Sequence, residues 1–153
     1  MAIEFFHISE TDLDMIDQIV ELEKRLSRNN SGLTAFEVNA YVRYGRVYSA
    51  VDYDEVVGCA YFMKDFDNPG KVYLFGLLVD PKESGRKLGQ NLLMSAFADL
   101  KDSGLRMAEV MVHPSNKGAI RVYRDELGFN LMNNSEDADE ADADGNVPPF
   151  SHG

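Results

Sequence analysis

The stretch 79–93, VDPKESGRKLGQNLL, sets Gly85 and Gly89 four residues apart, where an apolar run gives way to a helical pattern. The first N–H groups of a helix have no partner within it and carry partial positive charge. Small residues let an anion approach those groups closely. Arg86 and Lys87 add mobile positive charge, so a diphosphate is a natural occupant. The spacing matches neither the G-x-x-x-x-G-K-S/T of a P-loop nor the G-x-G-x-x-G of a dinucleotide fold. Taken alone, the loop is either an anion site or a plain corner between strand and helix. Other reactive residue types offer less. Cys59 is the single cysteine, which rules out an intrachain disulfide and a cysteine-rich metal site. Inside VVGCAYF it reads as a small apolar strand residue. His7 and His152 have no companions that suggest a metal site.

The elements that must position this loop follow from hydrophobic period and turn chemistry. IEFFHIS (3–9) reads as a strand. Thr11 and Asp14 have the spacing of a capping pair, and Leu13, Ile16, Ile19, Val20 and Leu26 then follow helical spacing to about Arg28. A second helix covers 34–44 with Gly45 as its stop. Residues 46–52 and 56–66 read as antiparallel strands joined at Tyr53–Glu55, and Asn68-Pro69-Gly70 marks a turn. KVYLFGLLV (71–79) is almost continuously apolar, which suits a central strand covered on both faces. Ser84 to Ser103 is helical, with Leu88, Leu92, Leu93, Ala96, Phe97 and Leu100 on one face and Gly104 as its stop. MAEVMVH (107–113) alternates as a strand, with Glu109, Met111 and His113 on one side. A last helix is expected from Ser115 to Leu127, capped by Gly128, and a short strand at 129–133. The order β-α-α-β-β-β-α-β-α-β contains one βαβ unit, 71–113, whose strands should be parallel with a right-handed crossover. The expected fold class is α+β: three layers, α/β/α, around a mixed, mostly antiparallel sheet.

At 153 residues the chain suits one domain, expected over 1–133. Residues 134–153 read as an acidic, flexible C-terminal segment. The net charge of −11 argues against nucleic acid and suits a cationic partner such as an amine. The stretch 136–144, EDADEADAD, holds six acids, and without them the net charge is −5. It reads as a solvated tail, or as an electrostatic lure for cationic substrates. No apolar run approaches the ~18 residues that span a bilayer. The start MAIEFFHISE carries no signal-peptide pattern, and a cytoplasmic location is expected.

Residues 113–129 read HPSNKGAIRVYRDELGF. With the first loop, they resemble the GNAT superfamily of N-acetyltransferases. That family carries V-x-P-x-x-Q/R-x-x-G-x-G/A between its fourth strand and third helix, then N-x-x-A-x-x-x-Y followed by G-F. Val79, Pro81 and Gly89 match the first motif; Asn116, Ala119, Tyr123, Gly128 and Phe129 match the second. The element order from 1 to 133 also fits. Ser84 and Lys87 depart from the family's Gln/Arg and Gly, and Lys87 is tolerated there only in ordinary helical backbone. Four residues rather than three separate Tyr123 from Gly128, so that helix end should bulge or tighten. No seventh strand is legible after 133. A partner, as in a homodimer, supplies it, or it is absent.

The resemblance implies acetyl transfer from acetyl-CoA, a co-substrate, to a primary amine, either a small cationic amine or a protein α-amine. It implies that backbone groups of Leu77, Leu78 and Val79 pair with the pantetheine arm, and that N–H groups of Gly85, Arg86, Lys87, Leu88, Gly89 and Gln90 hold the pyrophosphate. Asn116 should touch the arm, and Tyr123 should stand near the thioester sulfur as general acid. The family often places a Glu base on its fourth or fifth strand. The fourth strand here has no acid, and Met111 stands at the usual fifth-strand position, so the candidates are Glu109 and His113. Specificity would sit on 27–34, the second helix and the C-terminal segment. Two other readings stay open: a non-catalytic acyl-CoA-binding regulatory module, and an interaction fold that binds no nucleotide.

Overall fold

The computed structural model describes residues 3–27, 32–83, 87–131 and the backbone of 150–152. The chain divides into two compact units, Met1–Met63 with Gly76–Asp99, and Lys64–Phe75 with Leu100–Gly153. Strand β4 (Lys71–Val79) and helix α3 (Leu88–Asp102) each contribute to both.

In the first unit, β1 (Ile3–His7) pairs antiparallel with β2 (Arg46–Asp52), and β2 pairs antiparallel with β3 (Glu55–Lys64). The β2–β3 connection has two central residues, Tyr53 and Asp54, both with positive φ (47° and 67°). That is the geometry a two-residue hairpin needs to match strand twist. The register of β2 against β3 shifts between Ala50 and Val51. Helix α1 (Leu13–Leu26) buries Ile16, Ile19, Val20 and Leu22 against Val38 and Val42 of α2 (Ala35–Tyr44), Val47 and Val51 of β2, and Val56, Cys59 and Tyr61 of β3.

Two helix starts differ in how far the sequence foretold them. The capping pair expected from Thr11 and Asp14 does not form. Asp12 holds the N-cap position, and its carboxylate accepts from the Ser9 N–H at 2.8 Å. Leu13, expected on the apolar face, is 66% exposed. Helix α2 starts with a full capping box: the Glu37 N–H donates to Thr34 Oγ1 at 3.2 Å and the Thr34 N–H to Glu37 Oε1 at 3.0 Å. It ends at Gly45 as expected, and close approach of another strand requires glycine there. A Cβ there would lie 2.3 Å from the Phe62 carbonyl oxygen.

In the second unit, β4 runs parallel to β5 (Met107–Val110) from the pair Lys71–Met107 to the pair Leu74–Val110. Helix α3 lies between these strands in sequence, which gives the expected βαβ element. Strand β5 stops at Val110 rather than at 113, and the final expected strand shortens to β6 (Asn130–Leu131). A strand that the residue pattern did not indicate, β7 (Phe150–His152), pairs antiparallel with both β5 and β6. The chain therefore supplies its own seventh strand. Three residues directly after Pro148-Pro149 are too short to show an alternating pattern. Residues 132–149, including the acidic run, lie outside the described residues.

The helix expected over 115–127 is shorter and changes pitch. Helix α4 (Lys117–Arg121) passes into a π-helical turn, Val122–Glu126. The Leu127 N–H donates to the Val122 carbonyl, five residues back, at 3.0 Å. This wider turn absorbs the extra residue between Tyr123 and Gly128. Gly128 then takes φ 77°, a left-handed conformation that glycine adopts without strain.

Candidate active site

In the first unit, the second half of β4 carries Leu77, Leu78 and Val79, all partly exposed. The start of α3 packs directly on them. A Cβ added at Gly89 would stand 3.3 Å from Leu77 Cδ2 and 3.4 Å from Val79 Cγ2, so glycine there permits close seating of helix on strand. Among the described residues, the ladder at this end opens with the Asn91 N–H donating to the Lys87 carbonyl at 3.0 Å. The N–H groups of Leu88 and Gly89 lie ahead of it, the position from which a helix receives an anion. Leu88 itself is buried. These groups fit a phosphate-bearing ligand in kind and direction.

The helix begins at Leu88, not Ser84. Lys87 has φ 53°, so the expectation of ordinary helical backbone at this lysine is overturned. A left-handed residue cannot extend the helix toward its N-terminus, and for a non-glycine residue it costs on the order of 1 kcal/mol. Ser84, Gly85 and Arg86, the rest of the expected cradle, lie outside the described residues.

The second unit holds the expected acid–base residues. Tyr123, in the π-helical turn, is 9% exposed and meets Phe129 edge-on, with ring centroids 5.4 Å apart. The Phe129 N–H donates to the Tyr123 carbonyl at 2.8 Å, which ties the turn to the following segment. Burial pushes the Tyr123 phenol up to about 12, and neighbouring Tyr73 adds to the effect. The phenol is therefore neutral across the working range. It can donate a proton and is unsuited to take one. Tyr73, on β4, is also raised, by burial and by the charge of Glu109.

Glu109 is not a free carboxylate. Its Oε1 accepts from Lys71 Nζ at 2.9 Å, and the same ammonium lies 2.9 Å from Asp65 Oδ2. The side chains of Lys71, Asp65 and Glu109 are only 20%, 27% and 13% exposed. Its hydrogen bonds to Glu109 and Asp65 raise the Lys71 ammonium, and Lys71 lowers Asp65. The parallel register sets Tyr73 against Glu109. Tyr73 thus lies close enough to Glu109 to feel its charge, and close enough to Tyr123 to act on its phenol.

His113 does not share a strand face with Glu109, because β5 ends three residues before it. Its Nδ1 accepts from the Ser115 N–H at 3.1 Å and lies 2.7 Å from Ser115 Oγ. A nitrogen that accepts a backbone N–H carries its lone pair there, so the neutral ring holds its proton on Nε2. Asn116 caps α4, with Oδ1 accepting from the Ala119 N–H at 3.1 Å. The cap uses the oxygen and leaves the amide nitrogen as a donor.

Lys71 and Tyr73 were not legible as site residues in the sequence. Alternation along KVYLFGLLV puts Lys71, Tyr73 and Phe75 on one face of β4, but the apolar run hid that period. Glu23 was not legible either; buried in α1, it accepts from the Leu33 N–H at 3.0 Å and the Tyr61 hydroxyl at 3.2 Å. Glu23 thereby anchors the start of α2's approach segment. A cavity of about 280 Å³ opens there, lined by Val20, Lys24, Ser27, Leu33, Thr34 and Ala35.

A family model, the acetyltransferase (GNAT) family, matches residues 13–129. The mycothiol acetyltransferase of Actinosynnema mirum is 36% identical over 76 residues, which is 50% of this chain and 25% of that protein. That of Streptosporangium roseum is 42% identical over 60 residues, 39% of this chain and 17% of that protein. The chain thus spans a quarter or less of the length of these relatives. Among solved structures, Ard1 from Thermoplasma volcanium superimposes with a TM-score of 0.77 at 15% identity, covering 99% of this chain and 97% of that one. The ribosomal-protein-S18-alanine N-acetyltransferase from Escherichia coli gives 0.71 at 20% identity, covering 98% and 91%. These likenesses show the fold: α+β, three-layered, with a mixed and mostly antiparallel sheet. By its family match and its fold, this chain belongs to the acetyltransferase (GNAT) family.

Proposed function

We propose that the chain transfers an acetyl group from acetyl-CoA to a primary amine, with Tyr123 as the proton donor. The observation that carries this reading is Tyr123 itself. It is a buried, neutral phenol held in a π-helical turn within the family-matched region. Acetyl-CoA would supply an activated acetyl thioester. The N–H groups of Leu88 and Gly89, with Gly85, Arg86, Lys87 and Gln90, would hold its pyrophosphate. The backbone of Leu77, Leu78 and Val79 and the Asn116 amide would hold its pantetheine arm. The amine nitrogen attacks the acetyl carbon, a C–N bond forms, and the C–S bond breaks. The attacking nitrogen loses one proton to solvent, and Tyr123 gives its own proton to the departing sulfur and recovers one from solvent. In this reading the transferase domain takes in residues 1–133 and, through β7, Phe150–His152.

Thiol release from acetyl-CoA in the presence of amines tests the proposal. Tyr123→Phe should lower kcat by ~10²-fold or more while acetyl-CoA affinity holds. A second reading, a non-catalytic acyl-CoA-binding module, is favoured by one observation: Lys87 stands in left-handed backbone at the mouth of α3. It requires that acetyl-CoA raise the Tm with no thiol released from any amine.

A further inference from the structure

The segment that leads from β4 to α3 carries two buried carboxylates, Asp80 and Glu83. Burial strips a charge of its hydration, so such a group needs partners close by. Asp80 has them. Its Oδ2 accepts from Arg25 Nη2, in the last turn of α1, at 2.6 Å. Its Oδ1 accepts from the Lys82 N–H at 3.1 Å. Its own N–H donates to the Val57 carbonyl of β3 at 2.8 Å, and its carbonyl accepts from the Glu83 N–H at 2.9 Å. Asp80 therefore ties α1 and β3 to the short 3-10 helix Pro81–Glu83. Lys82 Nζ adds a bond to Glu55 Oε1 at 2.6 Å, but both side chains are half-exposed, and exposed pairs contribute little. The Arg25–Asp80 bridge differs, because its carboxylate is only 8% exposed.

We propose that Asp80 is a positioning residue for the acetyl donor. Held by the Arg25 guanidinium, it fixes the turn from which the chain approaches the anion-receiving end of α3, and so sets affinity for the donor's diphosphate. The inference rests on the acetyl-transfer reading above and extends it to residues that act by placing backbone. Position and charge make opposite demands at Asp80, which separates them by experiment. If charge were the whole effect, removing the carboxylate would leave the Arg25 cation unbalanced and tighten the binding of an anion. If the bridge positions the turn, removing either partner releases it and weakens binding. Asp80→Asn isolates the bridge, because the amide oxygen can still accept from the Lys82 N–H. Arg25→Met breaks the same bridge from the other side, with the opposite change of charge.

Calorimetric titration of the full chain with CoA reads the effect. The Kd should rise about fivefold or more in Asp80→Asn and in Arg25→Met, and the double variant should bind no more weakly than the poorer single. Stoichiometry counts folded protein separately from Kd, so a lower folded fraction does not imitate the result. Unchanged or tighter CoA binding by Asp80→Asn overturns the inference. Should that variant not fold, Arg25→Met decides alone: its loss relative to wild type should persist at about 0.5 M salt, where the field of an exposed charge is screened. Disappearance of the loss there contradicts the role given to the bridge. Thiol release with alanyl-alanine as acceptor gives a second readout. The ratio of kcat/KM for acetyl-CoA to that for S-acetyl-pantetheine, which lacks the diphosphate, should fall about fivefold, with the loss in KM rather than kcat. An equal fall for both donors signals a general structural defect and overturns the inference. Wild type that binds CoA yet releases no thiol defeats the acetyl-transfer reading, and the Kd comparison still decides this one. Wild type that does not bind CoA defeats both.

Discussion

Strands β3 and β4 read almost alike, VVGCAYF and YLFGLLV, yet they end in opposite environments. Every residue of β3 from Val56 to Phe62 is buried. On β4 only Val72 and Leu74 are, while Phe75 is 41% exposed and Leu77–Val79 are partly open. The expectation that β4 is covered on both faces holds for β3 instead. Apolar character along a strand says that it can be buried, not that the chain buries it. An apolar strand left half-open offers its surface to something else, and in this account β3 serves the fold and β4 serves the site.

That contrast can be broken by mutation. The largest effect belongs to β3: Phe62→Ala removes a ring that is 1% exposed and packed edge-on against Tyr48 and Phe97. Denaturant unfolding should show a loss of about 3–5 kcal/mol. Phe75→Ala on β4 should cost clearly less in the same assay, about 1 kcal/mol, since Phe75 keeps 41% exposure where Phe62 keeps 1%. Equal losses at the two positions would erase the distinction.

Alkaline pH sharpens it next. The Tyr123 phenol is raised in the folded state, to about 12 from an ordinary value near 10. As pH rises past 10 the unfolded chain loses this proton while the folded chain keeps it. Stability is therefore intact below about pH 10 and falls between about 10 and 12, by roughly 2–3 kcal/mol from this group. Tyr123→Phe should flatten that part of a stability–pH curve. Cys59 on β3 behaves similarly, its thiol pushed up to about 12 by burial. Alkylation of native protein by iodoacetamide at pH 8 should be slow and become fast only on unfolding.

How much of this was legible in the sequence depends on the range of the forces involved. Element order and the buried face of α3 followed from local period, as Leu88, Leu92, Leu93 and Ala96 show. The π-helical turn was foreshadowed by a simple count, four residues between Tyr123 and Gly128 where the family motif has three. The Lys71–Glu109 pair spans 38 residues and exists only because β4 and β5 adopt one register, so no local pattern announces it. The left-handed Lys87 was hidden for a related reason: nothing about lysine favours positive φ, and the surrounding chain imposes it. Lys87→Gly should accordingly raise stability by about 0.5–1 kcal/mol, the smallest of these effects, readable as an increase in Tm.

The central claim is that a neutral Tyr123 gives its proton to the departing thiol. The most direct test compares wild type with Tyr123→Phe for thiol release from acetyl-CoA with alanyl-alanine, alongside calorimetric affinity for acetyl-CoA. Wild type should release thiol, and the variant should do so ~10²-fold or more slowly with unchanged affinity. Equal rates in the two proteins would contradict it.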